Sequence, residues 1–169
     1  ERNRRISFSE GKQGILNRWD VKDVKSEYFK TFTPGEGTIK AEDNFKHDER
    51  PDEINCSRWL LSKFGGNIVL RAEVDEKKGV KSADYWWDGR LWDLKTPTGN
   101  GKRTIDNQFS KIADQIKDAP GGMIMDCSKL SFSDSYIIEH TAKRMNLNHF
   151  EGDVILKRGN NIIDILRYK

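Results

Sequence analysis

The sequence is poor in cysteine and histidine and lacks any long hydrophobic run. Its two cysteines, Cys56 and Cys127, lie on different predicted elements at a spacing unlike that of a zinc site, which favours two buried, reduced thiols. The three histidines are equally scattered, which favours surface or core roles over catalysis: His47, His140 and His149. No stretch approaches the roughly 20 apolar residues of a membrane span, and the N-terminus lacks a signal-peptide pattern. We therefore expect a soluble protein.

The chain has the length of one ordinary domain and a mildly basic charge balance. Its 169 residues include 30 Lys and Arg against 27 Asp and Glu, which gives a formal net charge of +3. This balance allows binding to a polyanion but does not require it. Residues 1–47 are polar with scattered aromatic side chains, so we interpret them as an N-terminal arm or linker with a helix near residues 13–32. Residues 48–169 then form the main domain.

Hydrophobic periodicity predicts a mixture of helices and strands in the main domain. The predicted elements are, in order, a helix over residues 51–64, a strand over 67–74, a hairpin over 82–98, a helix from Thr104 that ends at Pro120-Gly121-Gly122, a strand over 123–127, a helix from Ser133 or Asp134 to about Met145, and a hairpin that turns at Gly159-Asn160. The expected class is α/β, with a mixed central β-sheet flanked by helices.

The hairpin over residues 82–98 carries the chemically suggestive residues. Asp88-Gly89 between two aromatic runs predicts a two-residue turn, which places Asp84 opposite Asp93 and puts Lys95 on the same face of the sheet. Opposed like charges destabilise a sheet. The pairing therefore requires a bound divalent cation, a shared proton or a different register.

The spacing of these residues resembles the PD-(D/E)XK nuclease family. Asp84 is followed after eight residues by Asp93-Leu94-Lys95, within a helix-strand-strand-strand-helix-strand order, although Ala83 replaces the proline of the family. The resemblance implies a restriction-endonuclease-like fold and a Mg²⁺ or Mn²⁺ ion held by Asp84 and Asp93. It also implies that Lys95 is the catalytic cation and Glu53 the acidic residue of the first helix. Gln108 or Gln115 then corresponds to the glutamine that often follows the lysine strand.

A closer resemblance covers the stretch from about Glu49 to the C-terminus, notably ADYWWDGRLWDLKTPTGNGKRTIDN. This stretch is similar to the C-terminal nuclease domains of contact-dependent growth inhibition toxins, many of which cleave tRNA, and similar domains end some phage minor head proteins. The resemblance implies a toxin domain delivered as part of a larger protein into the target-cell cytoplasm, a cognate immunity protein and, in some cases, a host activating factor. It assigns tRNA contacts to a set of polar residues after the hairpin: Thr98, Asn100, Lys102, Arg103, Thr104 and Gln108.

Three other interpretations of the same residues remain open. A metal-independent ribonuclease of the barnase, EndoU, colicin or RelE type would use Lys95, Thr98, Arg103, Thr104 and a histidine. A nuclease of the same fold could instead cleave DNA. A non-enzymatic RNA-binding or phage structural module would use its carboxylates only in ion pairs. Glu73 is a competing candidate for the acidic site, and the tryptophans of the hairpin are expected in the core rather than as stacking platforms for bases.

Overall fold

A computed structural model describes residues 11–72 and 82–169 of the chain. The helices of this part are α1 (Gly11–Arg18), α2 (Lys25–Thr31), α3 (Pro51–Lys63), α4 (Thr104–Asn107), α5 (Ile112–Ile116) and α6 (Asp134–Asn148), with a 3₁₀ turn at His47–Glu49. The strands are β1 (Val21–Asp23), β2 (Gly37–Ala41), β3 (Gly66–Leu70), β4 (Tyr85–Trp87), β5 (Arg90–Lys95), β6 (Pro120–Asp126), β7 (Asp153–Arg158) and β8 (Asn161–Tyr168).

These strands form one mixed sheet, which confirms the expected α/β class for the described residues. The eight strands lie in the order β1-β8-β7-β6-β5-β4-β3-β2. The centre of the sheet is parallel, since β5 pairs with β6 and β6 with β7 in that sense. The hairpins β4-β5 and β7-β8 are antiparallel, and so are the pairs β3-β4 and β1-β8. The carboxyl ends of β5, β6 and β7 therefore meet at one edge of the sheet.

The sheet has a hydrophobic core on each face because both faces are covered by helices. On one side, named here the α6 face, Met123 and Met125 pack with residues of α4, α5 and α6. On the other side, named the α3 face, the intervening Ile124 packs with residues of α2 and α3. The expected core role of the hairpin tryptophans is confirmed for Trp87 and Trp92, which are buried there with ring centroids 5.2 Å apart. Among the described residues, every helix is too short or too polar to cross a membrane.

The N-terminal part of the described chain belongs to the sheet. The stretch interpreted as an arm or linker supplies β1 and β2, which form the two outer edges of the sheet. The single helix expected near residues 13–32 is wrong, because β1 separates α1 from α2. Val21, at the start of β1, is buried and pairs with Tyr168 near the other end of the chain, and this long-range pairing ends the helical pattern.

The helix predicted from Thr104 is also interrupted. Its apolar residues are buried as expected, but the backbone forms two short helices, α4 and α5. Between them, the N–H groups of Phe109 and Ser110 donate to carbonyls three residues earlier, and the Ser110 hydroxyl donates to the carbonyl of Asn107 at 3.0 Å. Serine and asparagine compete for backbone hydrogen bonds in this way, which weakens a continuous helix.

Pro120-Gly121-Gly122 begins a strand instead of only ending a helix. A side chain at Gly122 would put its Cβ 1.9 Å from the carbonyl oxygen of Asp153, and φ at Gly122 is +158°. A Cβ at Gly121 would meet the Trp92 indole nitrogen at 2.3 Å. The two glycines therefore allow β6 to pack closely between β5 and β7, and the turn signal in the sequence reflects this close approach.

Candidate functional site

The β4-β5 hairpin has the predicted register. Tyr85 pairs with Trp92, Trp86 with Leu91 and Trp87 with Arg90 around the Asp88-Gly89 turn. Asp84 lies directly before β4 and Asp93 lies within β5, so both carboxylates are at the open end of the hairpin. Because the register is correct, the explanation for the two facing acids must be a cation or a shared proton.

The carboxylates of Asp84 and Asp93 interact directly. Burial, followed by the charge of Asp93 and a hydrogen bond with it, raises the pKa of Asp84 to about 9. The backbone N–H of Leu94 donates to Oδ2 of Asp84 at 2.8 Å, which partly offsets this effect. Asp93 is only 4% exposed. At neutral pH this pair of acids therefore retains a proton, unless another positive charge replaces it.

Lys95 is bound to this pair. Its ammonium nitrogen lies 2.8 Å from Oδ2 of Asp93 and donates to Oε1 of Gln115 at 2.9 Å. Gln115 is a buried residue of α5, so the contact fixes the lysine head group against the helix. Of the two candidate glutamines, Gln115 is therefore the one at the lysine. The Gln108 side chain instead donates to the carbonyl of Thr104 at 2.9 Å.

Glu53 joins the site through a residue that sequence reasoning missed. Arg50 donates from Nη2 to Oδ1 of Asp84 at 2.9 Å and from Nε to Oε1 of Glu53 at 3.1 Å. Its Nη1 also donates to the carbonyl of Arg71 at 2.6 Å. Two signals in the sequence could have identified Arg50. It lies three residues before Glu53 at the start of α3, and a set of converging acids needs a nearby cation.

The donor set fits a hard divalent cation held by two carboxylates. Mg²⁺ commonly uses one or two protein carboxylates and keeps several waters. Asp84 and Asp93 supply such a pair, and the pKa of Asp84 is raised to about 9 first by burial and then by the charge of Asp93. Within residues 11–72 and 82–169 there is no group of three or more His, Cys, Asp or Glu side chains suited to a metal. Within this described part of the chain, Asp84 and Asp93 thus offer two carboxylate ligands.

The polar loop after β5 is mostly open to solvent. Thr98, Asn100, Lys102 and Arg103 are exposed, and Thr104 is half-buried at the start of α4. The Ser131 hydroxyl donates to Oδ1 of Asn100, which links this loop to the one that follows β6. The loop that follows the strand bearing Lys95 thus carries two exposed cationic side chains, Lys102 and Arg103.

The other candidate residues do not converge on the acids. The rings of His47, His140 and His149 pack against Phe45, Tyr136 and Tyr168, respectively. Cys56 and Cys127 are free and buried as expected, and burial raises the pKa of each thiol to about 12. Glu73 lies outside the described residues.

A comparison with known families gives a match to part of the chain. Residues 81–162 match the family model of the contact-dependent growth inhibition CdiA C-terminal domain. The match covers just under half of the chain. Searches of curated proteins and of solved structures found no match.

The matched segment contains most of the site. It includes Asp84, Asp93, Lys95 and Gln115, whereas Arg50 and Glu53 precede it. The match supports a toxin domain of contact-dependent growth inhibition, a group whose C-terminal domains are commonly nucleases and are delivered into target cells as part of a larger protein.

Proposed function

We propose that this domain is a toxin nuclease that hydrolyses phosphodiester bonds in tRNA with a divalent metal ion. The observation that carries the proposal is the convergence of Asp84, Asp93 and Lys95 at the open end of one hairpin. A buried acid and a half-buried acid beside a fixed ammonium group are costly to maintain and contribute little to stability. They are well suited to a reaction in which negative charge develops on a phosphate.

Each side chain has a distinct role in this proposal. Asp84 and Asp93 would hold a Mg²⁺ or Mn²⁺ ion, which when bound lowers the pKa of water and neutralises charge on a phosphate. Lys95, held by Asp93 and Gln115, donates to a phosphate oxygen and stabilises the charge that develops during cleavage. Arg50 positions Asp84 and Glu53 through its two ion pairs.

The loop after β5 supports a polyanionic substrate. Lys102 and Arg103 are exposed cations, and Thr98 and Asn100 add hydrogen-bonding groups next to the site. Contacts of this kind to phosphates and sugars orient a nucleic acid without reading its sequence. Thr104 and Gln108 bond to each other through the carbonyl of Thr104, so in the proposal they stabilise the base of the loop.

The test is incubation of total RNA with the purified protein in Mg²⁺ or in excess EDTA. We expect tRNA cleavage by the wild type in Mg²⁺ and none by Asp84→Ala or Lys95→Ala. Full activity of either folded variant would refute the assignment of the site, and full activity in EDTA would remove the metal ion. A plasmid incubated in parallel distinguishes a DNase from an RNase.

The metal-independent alternative is tested by the chemistry of the product ends. That mechanism leaves a 2′,3′-cyclic phosphate and needs a general base near the ribose. The histidines are poorly suited to this role, because their described ring contacts are with Phe45, Tyr136 and Tyr168 and not with the acids. A cyclic phosphate on the cleaved tRNA would nevertheless establish this mechanism.

An immunity protein is the expected partner of such a toxin. An acidic surface that covers Lys102 and Arg103 would block access of the nucleic acid, because the two surfaces have complementary charge. Co-expression of the adjacent gene product should suppress tRNA cleavage and protect cells, and lack of inhibition by a bound partner would count against this prediction. The need for a host activating factor can be tested in the same assay with and without cell extract.

A further inference from the structure

A cavity lies at the same sheet edge as the acids, on the opposite face from Lys95. It has a volume of about 230 Å³ and lies between α3 and the ends of β5, β6 and β7. Leu94 and Thr96 line it, and they alternate along the chain with Asp93 and Lys95. Because successive side chains of a strand point to opposite faces, the acid site and this cavity are separated by the thickness of one strand.

The cavity contains an ammonium group at the end of a largely buried lysine side chain. The side chain of Lys157 is 9% exposed, and its nitrogen lies 3.6 Å from Oδ2 of Asp126 and 4.6 Å from the centre of the Trp59 ring. Among the described residues, the Lys157 ammonium has no hydrogen-bond acceptor at normal distance. An ammonium group has three donors, so Lys157 can still donate to a ligand in the cavity.

Asp126 provides a carboxylate whose orientation is fixed by hydrogen bonds. Its Oδ1 accepts hydrogen bonds from the backbone N–H and the hydroxyl of Ser128, so this oxygen is fixed by the loop after β6. Its Oδ2 is the oxygen near Lys157, and the side chain is 27% exposed. The cavity therefore presents an ammonium donor beside a carboxylate acceptor.

This combination fits a nucleobase better than a simple anion. The lining balances two acids, Asp52 and Asp126, with two lysines, Lys129 and Lys157, so it has no net positive charge to attract a phosphate. The edge of a base carries donors and acceptors side by side. Guanine matches best, because its O6 accepts from a lysine and its adjacent N1–H and N2–H groups donate to a carboxylate. The volume is below the usual range for drug-sized ligands, and Leu94 adds an apolar wall for the ring.

We propose that this cavity binds an unpaired guanine of the RNA substrate, next to the phosphate at Asp84, Asp93 and Lys95. The inference rests on the proposed nuclease function. Single-stranded bases are the usual targets of sequence-specific RNA recognition, since their edges are free of pairing. Lys157 and Asp126 would then determine specificity, and they would take no part in the chemistry.

The test measures binding separately from cleavage. Fluorescently labelled heptamers with a central G, A, C or U in a U-rich context are titrated with the Lys95→Met protein in EDTA, where cleavage does not interfere. We expect the G heptamer to bind about 10-fold more tightly than the others. Adding Lys157→Met or Asp126→Asn should abolish this preference.

A matched variant distinguishes specificity from general loss of charge. Lys12 also pairs with an aspartate, since its nitrogen lies 2.6 Å from Oδ2 of Asp23, but it lies outside the cavity. The preference for G should therefore persist in Lys12→Met. Equal binding of all four heptamers would overturn the inference. So would a uniform loss of affinity in Lys157→Met with the G preference retained, because this indicates only a phosphate contact.

The result also separates this inference from the proposed function. A G preference without tRNA cleavage by the wild type would retain the base site and refute the nuclease. Cleavage of tRNA without a base preference would support the nuclease function and refute the guanine site. If Lys157→Met fails to fold, Asp126→Asn and competition by free GMP against AMP test the same contact.

Discussion

Replacing Asp93 by asparagine should stabilise the metal-free protein at neutral pH while removing the proposed nuclease activity. In the wild type, burial and the neighbouring Asp93 raise the pKa of Asp84 to about 9. An asparagine at position 93 removes one of the two facing charges. Its carbonyl can still accept from Lys95, and its amide can donate to Asp84.

The size of the effect follows from proton linkage. An aspartate in the unfolded chain has a pKa near 3.9, so between about pH 4 and pH 9 the folded protein holds the extra proton of Asp84. The free energy of unfolding then falls by up to about 1.4 kcal/mol for each pH unit as the pH rises, and the loss approaches about 5 kcal/mol at pH 7.5. Burial is the larger cause and Asp93 the second, so we expect Asp93→Asn to recover about 1–2 kcal/mol at pH 7.5.

Urea unfolding in EDTA at several pH values between 4 and 8.5 measures this difference. The advantage of Asp93→Asn over the wild type should be near zero at the lowest pH and grow as the pH rises. Asp106→Asn is the control, since Asp106 is half-buried in an ion pair with Arg144 at 2.9 Å. A difference that is constant with pH, or that decreases as the pH rises, would refute the argument that the two acids repel each other.

Three further predictions concern single residues. Lys95→Met should lower the rate of RNA cleavage by about 10²–10³-fold in single-turnover assays, with an unchanged circular dichroism spectrum, because one stabilising donor is lost. Burial, followed by the charge of Asp23, raises the pKa of Asp164 to about 6. The free energy of unfolding therefore falls as the pH rises from about 4 to 6, because the unfolded chain loses this proton first. Asp164→Asn should therefore remove up to about 3 kcal/mol of the fall in the free energy of unfolding that urea experiments measure across that pH range. Gly122→Ala should cost about 3 kcal/mol in the same assay, since its Cβ would overlap the carbonyl of Asp153.

The central hairpin could be predicted from the sequence because its register is determined locally. Asp88 has a φ of +47° and Gly89 a φ of +78°, the left-handed conformations that a tight two-residue turn requires. Once this turn is known, the strand period of two places Asp84 and Asp93 together. The same reasoning predicted the final hairpin, which turns at Gly159 with a φ of +58°.

The edge strands could not be predicted because they depend on distant partners. The three residues of β1 pair with the last strand of the chain, and β2 pairs in parallel with β3. Neither has a local turn that fixes its partner. The choice between Gln108 and Gln115 stayed open in the sequence because it depends on packing: Gln115 accepts a hydrogen bond from Lys95, whereas Gln108 donates to the carbonyl of Thr104.

The charges at the site are consistent with the proposed binding of a divalent cation. Three carboxylates, of Glu53, Asp84 and Asp93, meet two side-chain cations, Arg50 and Lys95. The set therefore carries one excess negative charge in a place where Asp93 is 4% exposed. In the metal-free protein a proton on Asp84 balances this charge. In the proposed function a divalent ion would replace that proton and add positive charge for a phosphate, so we expect metal and phosphate to bind more tightly together than either alone.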